Sequence, residues 1–181
     1  MTWLLLPYLS LGISMNICSS YAVYFIAVQA IEDPFTPLPD LLHVYTPKIN
    51  TYIPDYFLGL SILYALLFYN DEYHNIEENL WTFANCVMLR SFSVFLTIMP
   101  TCMPENKKLS QSYYSSLFHT THDLMFSGHT LCFAFIGYIT ETPAVYYIGP
   151  TLLVLARQHY TIDAIMAGLV YNYMYQKTLL Q

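Results

Sequence analysis

Two short polar motifs stand out in an otherwise apolar chain of 181 residues. The first, DLMFSGHT, extends from Asp123 to Thr130, and the second, HYTID, extends from His159 to Asp163. Histidine can act as a nucleophile or as a general acid and base near neutral pH, and a neighbouring carboxylate can orient it. The two motifs therefore predict a site for group-transfer or hydrolytic chemistry.

The second motif has the spacing of an oriented base. His159 and Asp163 are four positions apart, so both would lie on the same face of a helix. The carboxylate could accept a hydrogen bond from one ring nitrogen of His159 and leave the other as a base or nucleophile, as in a catalytic triad. With His129 as a second imidazole, one group could attack phosphorus while the other protonates the leaving oxygen. The residues favour phosphoryl-ester chemistry.

The residues around the histidines are suited to holding a phosphate. Ser127 and Gly128 have the character of a helix N-cap, with His129 in the first turn that follows. Helix N-termini present unpaired N–H groups and partial positive charge, and two such termini are predicted on the same side of the protein. Arg157 and Arg90 add guanidinium groups whose planar geometry matches phosphate oxygens.

Other interpretations of the histidines stay open. The segment HTTHD, residues 119–123, has side chains that bind zinc, but it would have to recruit His129 or His159 to complete a site. A lone histidine in a membrane protein often forms a helix–helix hydrogen bond, which would account for His43 or His74. Ionisable residues inside a membrane segment are nonetheless functional as a rule, because each is costly to keep there.

The composition indicates that a membrane surrounds these groups. Of all residues 56% are hydrophobic and only 10% are charged, whereas a soluble domain has about 25% charged residues. Each crossing of a bilayer takes roughly 20 helical residues, so the chain can form about six crossings. We expect residues 1–181 to form one transmembrane phosphotransferase domain, an all-α bundle of six transmembrane helices. The net charge of −6 offers no basic stripe for nucleic acid.

The apolar segments and their breaks predict where these helices lie. Prolines in EDPFTPLPD, residues 32–40, and the acidic segment NDEYHNIEEN, residues 70–79, interrupt the apolar runs. Strands are disfavoured because the runs show no sustained period-two alternation. The apolar N-terminal segment lacks the basic start of a cleaved signal peptide, so it is expected to be a retained helix. The six predicted helices span about 3–30, 53–70, 79–99, 125–140, 143–157 and 160–177.

If the six helices run alternately up and down, the loops at residues 31–52, 100–124 and 157–160 lie at one end of the bundle. Residues 70–79 and 140–143 fall at the other end, together with both termini. The first end collects the unusual polar residues, which are Asp40, His43, Glu105, Lys107, Lys108, His119, His122, Asp123, His129, Arg157 and His159.

The two motif histidines are 30 residues apart, which is enough for one helix out and one helix back. At 1.5 Å per residue each pass covers roughly 22 Å, less than the hydrocarbon thickness of about 30 Å. Both imidazoles are therefore expected just inside the bilayer boundary, at the depth of a phospholipid phosphate.

These motifs resemble those of the sphingomyelin synthases, within the wider superfamily of type 2 phosphatidic acid phosphatases. PLPD, residues 37–40, is similar to the family's first-loop motif, and LRSFSVFLTIMP, residues 89–100, is similar to the stretch that ends its third helix. DLMFSGHT and HYTID are the most specific matches. The resemblance covers most of the chain.

The resemblance implies a reaction in which a His–His–Asp triad moves phosphocholine from phosphatidylcholine to ceramide and releases diacylglycerol. It implies His159 as the nucleophile, oriented by Asp163. His129 would protonate the departing diacylglycerol oxygen and later deprotonate the ceramide hydroxyl. Asp123 would position His129 or the headgroup amine. No cofactor or metal is implied.

Further residues are expected to bind substrate. Besides Asp123, Glu105 is the acidic residue of the 100–124 loop. A cationic headgroup is stabilised by anionic or aromatic side chains nearby, so Glu105 is expected to bind it. The remaining predicted substrate-binding residues are Asp40, Arg90, Arg157, Ser127 and Gly128. The partners implied are a phospholipid donor and a ceramide or diacylglycerol-type acceptor, and the oligomeric state is left open.

Departures from the family pattern leave the headgroup open between choline and ethanolamine. Thr121 and His122 stand where the family has cysteine and glycine, and the acid that the family has shortly after PLPD is absent, with His43 and Val44 nearby. Arg157 lies two residues before His159, and the arginine of the superfamily's phosphatases lies at a different distance from the corresponding histidine. This difference favours a transferase over a phosphatase. The alternative is a lipid phosphate phosphatase or phospholipase C-like hydrolase with the same site. A catalytically silent lipid-binding protein is the non-enzymatic alternative.

The resemblance also implies a location. It predicts a multi-pass protein of the Golgi or plasma membrane, with the catalytic face lumenal or exoplasmic. Lys48, Lys107, Lys108 and Arg157 all lie on that face, and by the positive-inside rule they favour the cytosolic side instead.

Overall fold

The computed structural model describes residues 4–30, 38–69, 76–97 and 125–180, with the backbone alone for 23–30. Within these ranges the fold is all-helical, with seven helices and no strand. The helices are α1 (Leu5–Ala30), α2 (Leu41–Tyr45), α3 (Tyr52–Phe68), α4 (Ile76–Leu96), α5 (Gly128–Ile139), α6 (Pro143–Leu155) and α7 (Thr161–Leu179).

The all-α prediction is confirmed. Each of the six predicted helices is present, with ends that differ from the prediction by no more than three residues. The helix that the prediction missed is α2, a single turn inside the predicted 31–52 loop. It begins after Asp40, whose carboxylate accepts a hydrogen bond from the His43 backbone N–H at 3.2 Å. A turn this short has no apolar periodicity from which it could be predicted.

In the described part of the chain, no helix combines the length and the apolar character that a membrane crossing requires. The transmembrane bundle therefore stays a prediction.

The α5–α6 hairpin determines which ends of the helices meet. The two helices have 12 and 13 residues and pack against each other. At 1.5 Å per residue they extend about 18 and 20 Å, so the chain returns to the level from which it started. The start of α5 and the start of α7 consequently lie at the same end of the protein.

The core surrounds α5. One side of α5 packs on α3 and α6, and the other side packs on α4 and α7, while α1 packs chiefly on α4. The first core cluster consists of Ala65, Phe133, Ile136, Ile139, Val145 and Leu153. The second consists of Cys86, Phe126, Leu131, Ala134, Ala167 and Tyr171. Since α5 contributes to both clusters, its position is fixed from two sides.

A glycine allows the hairpin to close tightly. A Cβ atom added at Gly149 of α6 would lie 2.3 Å from Cγ of Phe133, a fully buried ring on α5. Separations below about 3.0 Å require the neighbouring atoms to shift. A residue with a Cβ at this position would therefore require the Phe133 ring or the helix backbones to shift.

The outer surface is rich in large apolar side chains. On α3 the exposed residues are Leu60, Leu63, Leu66, Leu67 and Phe68. Exposed apolar side chains on α1, α4 and α7 include Leu6, Leu11, Phe92, Phe95, Ile165 and Leu169. Large apolar surfaces of this kind mark contact with lipid or with another protein.

Candidate functional site

The structure brings the two motif histidines together. The ring centroids of His129 and His159 are 6.2 Å apart, and their planes are inclined by 60°. His129 is the second residue of α5, and His159 lies two residues before the start of α7, separated from it by the N-cap Tyr160. The antiparallel α5–α6 hairpin accounts for the proximity, because it returns the chain to the level of its start. The proximity expected from the 30-residue spacing is present, and the depth of the two rings in a bilayer stays a prediction.

His159 faces Asp163 in a nearly dry environment. Nδ1 of His159 is 3.8 Å from Oδ2 of Asp163, and the two side chains are 8% and 1% exposed. That distance is within ion-pair range but longer than a hydrogen bond. Both His159 Nδ1 and Asp163 Oδ1 are buried and have no hydrogen-bond partner among the described residues. Unpaired buried atoms are costly, so a small movement that joins these two groups would be favourable.

Asp163 is held in place by hydrogen bonds in the first turn of α7. Its Oδ2 accepts a hydrogen bond from the Tyr160 N–H at 3.1 Å, which satisfies a donor at the start of α7. Its backbone carbonyl accepts a hydrogen bond from the Ser127 N–H at 3.3 Å. The segments that carry the two histidines are therefore joined directly.

His129 has a carboxylate neighbour that the sequence motifs did not reveal. Nε2 of His129 is 3.9 Å from Oδ1 of Asp55 on α3, and both side chains are 36% exposed. Asp55 lies in the first turn of its helix, where an acidic residue is most simply explained by the helix dipole. The sequence did contain one indication that Asp55 is near the histidines. Asp55 comes shortly after the 31–52 loop, which was predicted to lie at the same end of the bundle.

The residues around Ser127 form the helix start that was predicted. The Ser127 Oγ accepts a hydrogen bond from the Thr130 N–H at 3.1 Å, so Ser127 is the N-cap of α5. Ser127 and Thr130 are both buried. The cap orients the first turn of α5, which carries His129.

Arg90 of α4 holds the segment that precedes α5 by a hydrogen bond. Its buried guanidinium donates from Nε to the Phe126 carbonyl at 2.9 Å and from Nη1 to Asn16 Oδ1 at 2.7 Å. A Cβ atom added at Gly128 would lie 3.2 Å from Arg90 Nε. The predicted substrate-binding residues Arg90 and Gly128 are thus in contact, and the contacts of Arg90 hold the chain that precedes His129.

Arg157 connects the α6–α7 joint to the 38–51 loop. Its Nη2 donates to the carbonyls of His43 at 2.5 Å and Thr46 at 2.7 Å. Its Nη1 is buried and has no hydrogen-bond partner in the described ranges. Its backbone φ of 62° lies in the left-handed region, which costs a non-glycine residue about 1–2 kcal/mol. Arg157 is therefore held in place two residues before His159 by its contacts with the 38–51 loop.

Asp40 also bonds to the end of the connection between α6 and α7, at Thr161. Its Oδ2 accepts the Thr161 N–H at 2.6 Å, and its Oδ1 accepts the Thr161 hydroxyl at 2.8 Å. Burial raises the pKa of Asp40, but the hydrogen bonds from Thr161 and from the His43 N–H outweigh it and bring that pKa below 3.8. The first amide of α7, predicted to face a phosphate, is thus occupied by Asp40.

His43 packs over the residues next to His159. Its Nε2 lies 3.2 Å from the His159 carbonyl oxygen, to which it donates when protonated at that nitrogen, and its ring stacks on Tyr160 at 5.9 Å. Burial lowers the pKa of His43 below 6.5; the Asp40 charge opposes this shift, and the Arg157 charge adds to it. The neutral ring is favoured at neutral pH.

Several predicted residues lie outside the described residues. They are Asp123 and Glu105, which were expected to bind substrate, and His74, Lys107, Lys108, His119 and His122. In the described ranges, no group of three or more histidine, cysteine, aspartate or glutamate side chains is arranged to hold a metal ion.

The arrangement has the elements of a two-histidine phosphoryl site. The centroids of two imidazoles are 6.2 Å apart, each ring has a carboxylate within 4 Å, and an arginine stands two residues before one of them. A search of family models and of curated proteins found no match to this chain.

Proposed function

We propose that this protein is a membrane-embedded lipid headgroup phosphotransferase. It moves phosphocholine or phosphoethanolamine from a glycerophospholipid to ceramide through a phosphohistidine, and it releases diacylglycerol. The observation that carries this proposal is the 6.2 Å separation of the two imidazoles, with Asp163 beside one and Asp55 beside the other. The resemblance of both histidine motifs to the sphingomyelin synthases supplies the lipid substrates.

The separation of the two rings supports binding of one phosphoryl group by both histidines. A nucleophile approaches its target to about 3 Å, and a general acid lies about 3 Å from the oxygen that it protonates. With their centroids 6.2 Å apart, the two rings lie close enough to contact the same phosphoryl group. The buried Nη1 of Arg157 is suited to a phosphate oxygen.

In the first step His159 Nε2 attacks phosphorus and the bond from phosphorus to the diacylglycerol oxygen breaks. His129 gives its proton to that oxygen. The His159 ring, now bonded to phosphorus and protonated at Nδ1, carries positive charge, which the Asp163 carboxylate stabilises from 3.8 Å.

In the second step His129, now neutral, takes the proton of the ceramide hydroxyl. The hydroxyl oxygen attacks phosphorus, the phosphorus–nitrogen bond breaks and His159 is restored. The 8% exposure of the His159 side chain keeps water from the phosphohistidine, which favours transfer over hydrolysis.

The apolar exterior supports the membrane part of the proposal. The exposed leucines of α3 and the exposed apolar residues of α1, α4 and α7 would be stable in contact with lipid. The proposed location is the Golgi or plasma membrane, with the histidine pair on the lumenal or exoplasmic side. Retention in the membrane pellet after alkaline carbonate extraction would agree with this, and release into the supernatant would contradict it.

A lipid phosphatase or phospholipase C-like hydrolase is the second candidate. The observation that favours it is the 36% exposure of the His129 side chain, which leaves a path for water to reach the phosphohistidine. The same site would then release free phosphate or the phosphorylated headgroup instead of a phosphosphingolipid.

The test uses the purified protein in detergent with a headgroup-labelled phospholipid and fluorescent ceramide, with products identified by mass. Labelled phosphosphingolipid together with diacylglycerol is expected, and His159→Asn should abolish it. Glu77→Gln, at the start of α4, is the matched control and should retain activity. Headgroup release without a sphingolipid product would replace the transferase by a hydrolase. Activity that survives His159→Asn would exclude the proposed site.

A further inference from the structure

A cavity lies at the end of the protein opposite the histidine pair. It has a volume of about 490 Å³, is open on one side, and is lined by the start of α4, the end of α5, the start of α6 and the end of α7. Along α5 it is ten residues from Gly128 to Tyr138, or about 15 Å, so the cavity is separate from the histidine site. Its volume is within the range of about 300–1,000 Å³ that small-molecule sites occupy.

Four tyrosines give this cavity its character: Tyr138, Tyr146, Tyr147 and Tyr175. The ring centroids of Tyr138 and Tyr175 are 4.5 Å apart, and those of Tyr146 and Tyr147 are 4.9 Å apart with an edge-to-face angle of 88°. Tyr138 and Tyr146 meet edge to face at 6.0 Å. The rings form one continuous aromatic wall.

Hydrogen bonds to α7 fix two of these rings. The Tyr138 hydroxyl donates to Asn172 Oδ1, Asn172 Nδ2 donates to the Tyr146 hydroxyl at 2.8 Å, and that hydroxyl donates to the Gly168 carbonyl at 3.2 Å. Because the hydroxyl groups of Tyr138 and Tyr146 already take part in these hydrogen bonds, it is the ring π-systems that these two residues offer to a ligand. The face of an aromatic ring carries partial negative charge and attracts cations.

The charged groups at the cavity have the same sign. Glu78 of α4 and Glu141 of the α5–α6 turn line it, whereas no lysine or arginine of the described chain does. Oε2 of Glu78 is buried and has no hydrogen-bond partner among the described residues. Glu141 has a φ of 48°, a left-handed conformation that is unfavourable for glutamate and that glycine or asparagine would adopt more easily. A glutamate held there at a cost is consistent with a role for its carboxylate.

We propose that this cavity binds an organic ammonium cation, such as an amine or a trimethylammonium compound. The tyrosine rings attract the positive charge and cover the attached methyl groups, and the two carboxylates neutralise it. The same carboxylates repel phosphates and carboxylic acids, so the site differs in ligand charge from the histidine pair. The inference is independent of the proposed lipid transfer.

The experiment compares choline with 3,3-dimethylbutan-1-ol, its uncharged analogue of the same shape, by calorimetric titration of the full chain in detergent. Choline is expected to bind at least about tenfold more tightly, because only the charged ligand gains from the rings and carboxylates. Equal affinity for the two compounds, or no binding of choline, would overturn the proposal.

Variants then locate the site. Glu78→Gln and Glu141→Gln should each weaken choline binding about tenfold, whereas Glu77→Gln, one position before Glu78 and not part of the cavity, should leave it unchanged. Glu141 is exposed, so its replacement gives a folded protein even if the change at Glu78 does not. His159→Asn should also leave choline binding unchanged. Loss of binding in His159→Asn with retention in the glutamate variants would assign the cation to the histidine site and refute the proposal.

Discussion

Replacing Asp163 by asparagine isolates the charge of the residue that faces His159. The asparagine side-chain oxygen can still accept the hydrogen bond from the Tyr160 N–H, so the start of α7 is retained. The Asp163→Asn variant loses the electrostatic attraction between the carboxylate and the imidazolium that forms when His159 attacks phosphorus. At the observed 3.8 Å separation and an effective dielectric constant of about 20, that attraction is about 4 kcal/mol. The expected result is a fall of about a thousandfold in kcat.

The assay is headgroup transfer from a labelled phospholipid to fluorescent ceramide, measured beside a thermal melt of the same sample. Asp163→Asn should melt near the wild-type temperature, whereas Asp163→Ala also loses the hydrogen bond to Tyr160 and should be less stable by about 1 kcal/mol. An Asp163→Asn protein that is folded and transfers headgroups within about threefold of the wild-type rate would refute the charge-stabilising role.

Three further predictions concern other parts of the protein. Asp55→Asn should lower kcat by about tenfold, less than the Asp163 change, because Asp55 and His129 are 36% exposed and solvent screens their interaction; an unchanged rate would remove Asp55 from the site. Gly149→Ala should lower the free energy of unfolding by about 1–3 kcal/mol in a thermal melt, because its Cβ would lie 2.3 Å from a buried phenylalanine ring. Gly59→Ala, which meets nothing within 4 Å, is the matched control and should be neutral or stabilising. Because the pKa of His43 is below 6.5 in the folded state, the unfolded chain binds the proton first, and stability should decrease as the pH falls through 6.5 towards that lower value. His43→Gln should reduce this decrease in melts between pH 8 and pH 5, and an identical pH profile would contradict the assignment.

The parts of the site that follow from local spacing could be predicted from the sequence. The four-residue separation of His159 and Asp163 predicted that they share one face of a helix; they do lie 3.8 Å apart, but His159 precedes α7 instead of belonging to it. The 30-residue separation from His129 correctly predicted that the chain returns to the same end. Ser127 was recognised as an N-cap because serine at that position bonds its own helix. These relations depend on helix geometry and on neighbours in the chain.

The parts that depend on tertiary packing could not be predicted. Asp40 bonds Thr161, 121 positions away, and thereby occupies an amide that helix geometry alone would have left for a phosphate. Asp55 is an ordinary first-turn acid until α3 packs against α5 and brings it to His129. The contact of Arg90 with Phe126 likewise requires α4 to lie beside the start of α5. No local pattern encodes such pairs.

The lengths of α5 and α6 leave little freedom for insertions and deletions. One residue inserted into either helix would displace everything beyond it by about 1.5 Å and rotate it by about 100° around the helix axis. Such a change would turn His159 away from His129, whereas the same residue added to the 38–51 loop could be absorbed locally. Divergence in chain length should therefore be found in the connections and not within α5 or α6.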